Sequence, residues 1–321
     1  MAADPGIVLE VEGLRTVFFT RRGLIKAVDG VSFSLRAGET LAVVGDIAVP
    51  DRVTEVFRAC APNLIFHAAA HKHVPMMEQN QGEAVRNNVL GTRVIAEAAL
   101  AAGVEQFVLV STDKAVNPSS VMGVTKRIAE HLVQERNGKG RTRFTVVRFG
   151  NVLGSNGSVV PLFTEQIRKG GPVTVTHPEI KRYFMSIPEA VQLVLQASVM
   201  GHGGDVFVLD MGEQIRVADL ARNMILLSGR VPDQDIKITY TGLRPGEKMY
   251  EELFDQNERV EPTDHEKIKR AVGRPAFAPG GLERDIQELE TLLSESDPEK
   301  LMGKLQEMVP NYNPSMSNAA K

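Results

Sequence analysis

The apolar positions of this chain follow two patterns. Apolar runs at residues 63–66, 107–110 and 206–209 and the mixed stretch 143–149 read as strands, that at 63–66 as a short buried strand and that at 107–110 as one buried on both faces, as in a parallel sheet. Longer stretches at 51–60, 83–102, 188–199 and 216–227 read as helices, and a further helix runs from the serines after Pro118 to about Arg136. Pro62 ends the first of these, Gly103 closes the second, and Pro188 opens the 188–199 helix. Residues 172–175 and 236–239 read as further strands, and 282–293 and 299–308 as tail helices with charged outer faces. The expected fold is α/β, with a parallel sheet. The amino-terminal part differs: strands at 7–12 and 15–19 around a turn at Gly13, another at 27–35, then a turn at Ala37-Gly38-Glu39 and a buried strand at 40–44. That last strand is a candidate to join the main sheet.

Composition narrows the function classes. The chain has 321 residues, with 43% hydrophobic and 24% charged residues, ordinary for a globular protein. A formal net charge of -3 gives no bulk argument for nucleic acid or an anionic membrane as a partner. One cysteine, Cys60, excludes a disulfide framework and fits a reducing compartment. No apolar run is long enough to span a bilayer and no signal-peptide pattern opens the chain, so the expected location is the cytoplasm. The tail after Pro314 is expected to be disordered.

Candidate chemistry concentrates in residues 106–126, Q-F-V-L-V-S-T-D-K-A-V-N-P-S-S-V-M-G-V-T-K. An apolar strand ends in Ser111, Thr112, Asp113 and Lys114, and the helix that follows carries Met122 and Lys126 on one face. In open parallel sheets, ligands bind beyond the carboxyl ends of the strands. The strand end and the helix face are therefore expected to converge on one small volume.

These residues resemble the extended short-chain dehydrogenase/reductases, and more closely the nucleotide-sugar 4,6-dehydratases of polysaccharide biosynthesis, whose pattern is S-T-D-K-A-x-x-P-x-x-x-[YM]-G-x-[ST]-K. Further matches are H-A-A-A-H-K-H-V-P from His67, N-N-V-L-G-T from Asn87, R-F-G-N-V from Arg148, R-Y-F-M from Arg182 and L-R-P-G-E-K from Leu243. The resemblance covers residues 45–313 and implies a Rossmann-like sheet with a smaller substrate lobe. It implies a UDP-sugar substrate of the UDP-N-acetylglucosamine type, NAD or NADP as transient hydride acceptor, and a homo-oligomer. By resemblance, Asp113 is the acid and Lys114 the base at sugar C5, Thr112 bonds O4, and Lys126 holds the nicotinamide ribose. Lys114 could serve as a base if desolvation or nearby positive charge lowered its pKa. Met122 stands where most short-chain dehydrogenases place tyrosine, and long-form relatives also have methionine there; a thioether cannot relay the O4 proton. Asp46, Ile47, His67, Ala68, Ala69, Ala70, Asn87 and Ser111 are the implied cofactor contacts. Lys72, Asn151, Val159, Arg182, Arg244 and Glu247 are the implied substrate contacts, Arg244 suiting a diphosphate through its planar fork.

Some local readings stay open. His67 and His71 have zinc-helix spacing, but H-A-A-A-H lacks the glutamate of H-E-x-x-H and follows a strand, so no metal is expected. The asparagines at 87 and 88 either tie loops together or touch the cofactor. Arg244 and Glu247 either bind substrate or form a structural pair at a turn.

Residues 7–45 resemble the start of peptide-transporter ABC ATPases, yet Gly45-Asp46-Ile47-Ala48-Val49-Pro50 lacks the glycine, lysine and hydroxyl of the phosphate loop, so an ATPase is rejected. The dehydratase match begins at Gly45-Asp46-Ile47, so the fold is expected to lack its first strands, and with them the G-x-G-x-x-G turn that holds a cofactor pyrophosphate. The expected divisions are 1–45, a β segment; 46–170, a partial dinucleotide-binding domain; 171–313, a substrate lobe with tail helices; and 314–321. The alternatives to a dehydratase are an inert UDP-sugar-binding or oligomerisation module and, further off, a nucleotide-sugar epimerase.

Overall fold

Parallel pairing of apolar runs organises the chain. The computed structural model describes residues 7–20, 23–36, 38–273 and 281–314, with side chains from Gly38 onward. Its elements are β1 (Ile7–Thr20), β2 (Gly23–Arg36), α1 (Pro50–Cys60), β3 (Leu64–His67), α2 (Val74–Gln79), α3 (Gln81–Val85), α4 (Thr92–Ala102), β4 (Gln106–Thr112), α5 (Val121–Arg136), β5 (Arg143–Phe149), β6 (Asn151–Val152) and α6 (Val159–Arg168). There follow β7 (Val173–Val175), β8 (Lys181–Arg182), β9 (Phe184–Met185), α7 (Ile187–Met200), β10 (Val206–Leu209), β11 (Ile215–Arg216), α8 (Val217–Leu227), β12 (Ile238–Tyr240), β13 (Arg259–Pro262), β14 (Ile268–Val272), α9 (Gly281–Glu295) and α10 (Pro298–Met308).

The main sheet has the order β13-β14-β10-β5-β4-β3. β3, β4, β5 and β10 are parallel, as the apolar runs in β4 and β10 predict, while β14 and β13 add antiparallel strands at one edge. These two strands were not foreseen. Their sequence is charged rather than apolar; backbone ladders join β13 to β14 and β14 to β10, and Glu261 of β13 accepts from Arg270 of β14.

Alternate residues of the buried strands serve two cores. Phe107, Leu109, Phe144 and Val146 point to the face covered by α1, α4, α5 and the tail helices α9 and α10. Val108, Val147 and Phe207 point to the other face, under α7. A third core joins α6 and α8 with β7 and β12 in a smaller lobe. The expected helix at 83–102 is α3 and α4 joined by a π-helical segment, Arg86–Gly91. Ser120 caps α5 by accepting from Gly123 N at 3.1 Å.

Three expectations need correction. The strands at 7–12 and 15–19 are one strand, β1, paired antiparallel with β2, with no turn at Gly13 but register shifts between Val11 and Arg15. Residues 40–44 do not form a buried strand; they run as coil with Val44 85% exposed. The Val44 carbonyl accepts from Arg52 Nε and Nη2 at 3.0 and 2.8 Å, so a side chain takes the place of a sheet ladder. The run at 63–66 is β3, and it is not buried on both faces: Leu64 is 42% and Phe66 38% exposed. Among the described residues β3 is the outer strand of the sheet, so one edge and part of one face lack a neighbour. The tail after Pro314 lies outside the described residues.

Candidate active site

β4 and β5 end side by side, with Thr112 opposite Phe149. Beyond Thr112 the chain tightens into a 3₁₀ turn, Asp113–Ala115. Thr112 Oγ1 donates to Asp113 Oδ1 at 2.9 Å and accepts from Lys114 N at 3.4 Å. Helix α5 passes close behind this turn: a Cβ on Gly123 would lie 2.3 Å from the Lys114 carbonyl oxygen, so glycine is required there. A Cβ on Gly150 would lie 2.8 Å from Tyr183 Cβ and 3.1 Å from Asp113 Oδ2, so the end of β5 is equally tight.

The structure brings the expected strand end and helix face together. Ala68, Ala70, Lys72, Ser111, Thr112, Lys114, Met122, Lys126, Asn151 and Arg244 line one cavity of about 440 Å³. Lys114 Nζ donates to Asp113 Oδ1 at 2.9 Å and to Asn151 Oδ1 at 3.3 Å, and stands 3.6 Å from Glu251 Oε1. Asp113 is 0% exposed, and its Oδ2 is buried without a partner. Burial alone would push Lys114 down, but Asp113 and Glu251 outweigh it and hold the ammonium above its ordinary value. The condition set for Lys114 as a base, a lowered pKa, is not met in the resting site, because its strongest neighbours are anions. Lys126 behaves oppositely. Burial lowers it to about 8 against the pull of Glu130, and its Nζ donates to Val110 O at 2.8 Å.

The implied cofactor contacts are scattered in quality. Ser111 donates its hydroxyl to Glu130 Oε1 at 2.6 Å. Thr92 gives its hydroxyl hydrogen to Asn88 O at 2.7 Å, so His67 Nε2, 2.9 Å away, is the donor to Thr92. His67 is held neutral, lowered to about 3 by burial and by the charge of Lys126. His71 and His73 are exposed, and no three metal-ligand side chains converge among the described residues. Asn88 ties loop to helix, accepting from His71 N at 2.8 Å and donating to Thr125 Oγ1 at 3.0 Å. Asn87 has a buried amide oxygen without a partner. Asp46 Oδ1 caps its own turn by accepting from Ala48 N at 2.8 Å, and Ile47 packs against Gly91. Ala69 is exposed at the end of β3.

The implied substrate contacts surround the same opening. Asn151 Nδ2 donates to Tyr183 O, which aims its Oδ1 at Lys114. Val159 lines an adjoining cavity of about 200 Å³ with Phe163, Ile180, Arg182 and Arg244. The Arg244 side chain is exposed at the junction of three cavities. Arg244 and Glu247 do not pair through their side chains. Glu247 instead accepts from Arg182 Nη2 and Thr176 Oγ1, each at 3.2 Å, and from Arg244 N. Lys72 reaches Ser155 Oγ at 3.4 Å.

Two groups were not found from the sequence. Glu251, 4% exposed, stands between Lys114 and Arg182. Behind β5, Glu130 and Glu258 hold the buried Arg148. These carboxylates lie in segments whose charge pattern looks like ordinary surface, and depth is not written in it.

Comparison with known proteins places this architecture. A family model described as polysaccharide biosynthesis protein matches residues 30–273. The capsular polysaccharide biosynthesis protein CapD of Staphylococcus aureus is 56% identical over 233 residues, 72% of this chain and 39% of that protein. A UDP-glucose 4-epimerase of Rickettsia rickettsii is 35% identical over 81% of this chain and 74% of that protein. Among solved structures, Pen from Bacillus thuringiensis superposes with a TM-score of 0.67 at 37% identity, covering 73% of this chain and 72% of that one. The UDP-glucose 4-epimerase of Thermus thermophilus, solved as a complex with NAD, shares the fold at 21% identity, with a TM-score of 0.58 over 63% of this chain and 72% of that one. The chain spans about two fifths of the length of the Staphylococcus protein. The sheet is thus of the Rossmann-like type found in nucleotide-sugar enzymes. The chain belongs to the polysaccharide biosynthesis protein family.

Proposed function

We propose that this chain carries the sugar-modifying site of a nucleotide-sugar 4,6-dehydratase acting in polysaccharide synthesis, with a substrate of the UDP-N-acetylglucosamine type. The observation that carries the reading is the Thr112–Asp113–Lys114 cluster at the end of β4, with a fully buried, half-bonded carboxylate beside an ammonium. Removing water across C5 and C6 of a sugar needs an acid and a base close together on one face. Asp113 and Lys114 are such a pair, adjacent and 2.9 Å apart.

In this reading Thr112 hydrogen-bonds the sugar O4 and orients C4. Lys114 passes its proton to Asp113, 2.9 Å away, and Asp113 hands a proton on to the departing C6 hydroxyl, which leaves as water. The free amine of Lys114 then takes the C5 proton, so the pair ends as carboxylate and ammonium again. Met122 and Ala70 form an apolar wall that excludes water, and Asn151 holds the amine in place. Arg244, with no protein partner for its guanidinium among the described residues, takes the diphosphate, and Val159 packs beside the uridine end.

The residues present fit the nicotinamide half of an NAD or NADP cofactor. Lys126, Ser111, Ala68 and Ala70 line the cavity that holds Lys114, and the unpartnered amide oxygen of Asn87 is a buried acceptor awaiting a donor. When bound, that cofactor supplies the hydride acceptor and donor. Lys126 would hold its ribose.

The test is incubation with UDP-N-acetylglucosamine and NAD or NADP in D₂O, followed by mass spectrometry and NMR. A dehydratase yields a 4-keto-6-deoxy sugar that has lost one water and carries solvent deuterium at C5. The 35% identity to a UDP-glucose 4-epimerase favours a second reading. An epimerase would return a sugar of unchanged mass inverted at C4, and that result would overturn the dehydratase. Recovery of unchanged UDP-sugar, with binding intact, would point to an inert sugar-nucleotide module.

A further inference from the structure

Glu251 belongs to none of the motifs that suggested the site, yet it touches the centre of it. The residue follows the L-R-P-G-E-K turn and is 4% exposed. Its Oε1 stands 3.6 Å from Lys114 Nζ and 3.8 Å from Arg182 Nε, and its Oε2 is buried without a partner. It lines a cavity of about 100 Å³ that Lys114, Arg182, Arg244 and Glu247 also line, separate from the larger one in front of Lys114. An ammonium has three donors. Asp113 takes one at 2.9 Å, Asn151 one at 3.3 Å, and Glu251 faces the third.

We propose that Glu251 is a positioning residue for the reaction that acts through Lys114: set against Asp113 across the ammonium, its carboxylate fixes the direction of the amine and its charge in the resting site. The inference rests on the reading of Lys114 as the group that serves C5. Arg182 is the physical reason the arrangement holds. It donates to the carbonyls of Lys181 and Met249 and to Glu247, which fixes it on the far side of Glu251 and sets that carboxylate between two cations. The other charged groups facing Lys114 do not replace Glu251. Lys248 and Arg244 in the rear cavity, and Lys72 and Lys126 in the front one, are cations that would favour the neutral amine, and Glu247 is already bound to Arg182. With Asp113 and Glu251 both present, the amine stays protonated. A substrate that draws Asp113 away to a hydroxyl would leave Glu251 as the remaining anion on Lys114, so the strength of this contact sets how readily the amine becomes neutral.

The experiment follows the Lys114 amine directly, by ¹³C NMR of lysine Cε in the full chain, with the resonance assigned by its loss in Lys114→Arg. In Glu251→Gln the Lys114 midpoint should move to lower pH than in the native chain, because an anion that favours the cation has gone. Glu251→Asp, which withdraws the carboxylate by one methylene, should move it in the same direction by less, and it carries the test if the Gln variant does not fold. The acid limb of the kcat profile with UDP-N-acetylglucosamine should follow the same order. A Lys114 midpoint unmoved in both variants overturns the proposal, and so does a loss of substrate affinity with an unmoved kcat profile. If the native chain turns over no sugar but the NMR midpoint shifts as expected, the dehydratase reading fails and the contact between Glu251 and Lys114 stands.

Discussion

Two buried ion clusters flank the ends of β4 and β5, and they are built to opposite rules. In the first, Glu130 and Glu258 grip Arg148 between them, and all four carboxylate oxygens are bonded. Glu130 accepts from Arg148 Nε and Nη2 at 2.8 and 2.7 Å, and also from Ser111 and Arg127. Glu258 accepts from Arg148, Arg127 and Asp255 N. In the second, Asp113 and Glu251 flank Lys114, and each keeps one buried oxygen without a partner. Burying a charge is costly unless it is paired and hydrogen-bonded. A saturated cluster therefore holds a fold together, whereas a cluster left half-bonded beside cavities keeps acceptors for a ligand.

The largest expected effect breaks the saturated cluster. Arg148→Met leaves two buried carboxylates facing each other and should cost about 3–5 kcal/mol, read as a lower urea midpoint or loss of soluble protein. Its counterpart in the half-bonded cluster, Asp113→Asn, should leave the urea midpoint near that of the native chain while lowering turnover of UDP-N-acetylglucosamine by about 10²–10⁴-fold, the usual range for a general acid. If Asp113→Asn unfolds the chain instead, the division between the clusters fails.

Acid sharpens the same contrast. Burial would raise Glu258, but hydrogen bonds and charge from Arg148 win and hold it at about 2, against an ordinary 4.5. A carboxylate depressed in the folded state stabilises the fold above its ordinary value and loses that contribution as pH falls toward its folded one. Urea midpoints should therefore drop between pH 4.5 and about 2, and Arg148→Met should flatten that drop. The smallest effect concerns Lys126, lowered by burial to about 8. If its cation is needed, kcat/KM falls above that pH. Lys126→Arg, charged to above about pH 12, should remove that basic limb at some loss in rate.

Much of this protein was legible in its residues. Strand β4 and the helix running to Arg136 lie where the periodicity put them, since a strand buried on both faces is largely apolar and a helix must repeat near every fourth residue. The convergence of Thr112 and Lys114 with Met122 and Lys126 was equally readable, because a strand end and the helix after it are joined by a short turn and so cannot separate. What the sequence could not decide was partnership across distance. Residues 40–44 have a strand's apolarity but end as coil, because Arg52, and no strand, meets the Val44 carbonyl. Glu251 looks like one more surface glutamate until the turn after Leu243 folds it under Arg182. The charge of Lys114 belongs to the same class. Its own neighbours in sequence supply one anion, Asp113, and the tertiary fold supplies the second, Glu251, so the amine rests as a cation. Local periodicity sets which elements form, but the electrostatics of a buried group depend on every charge within a few ångströms, and those come from segments far away in the chain.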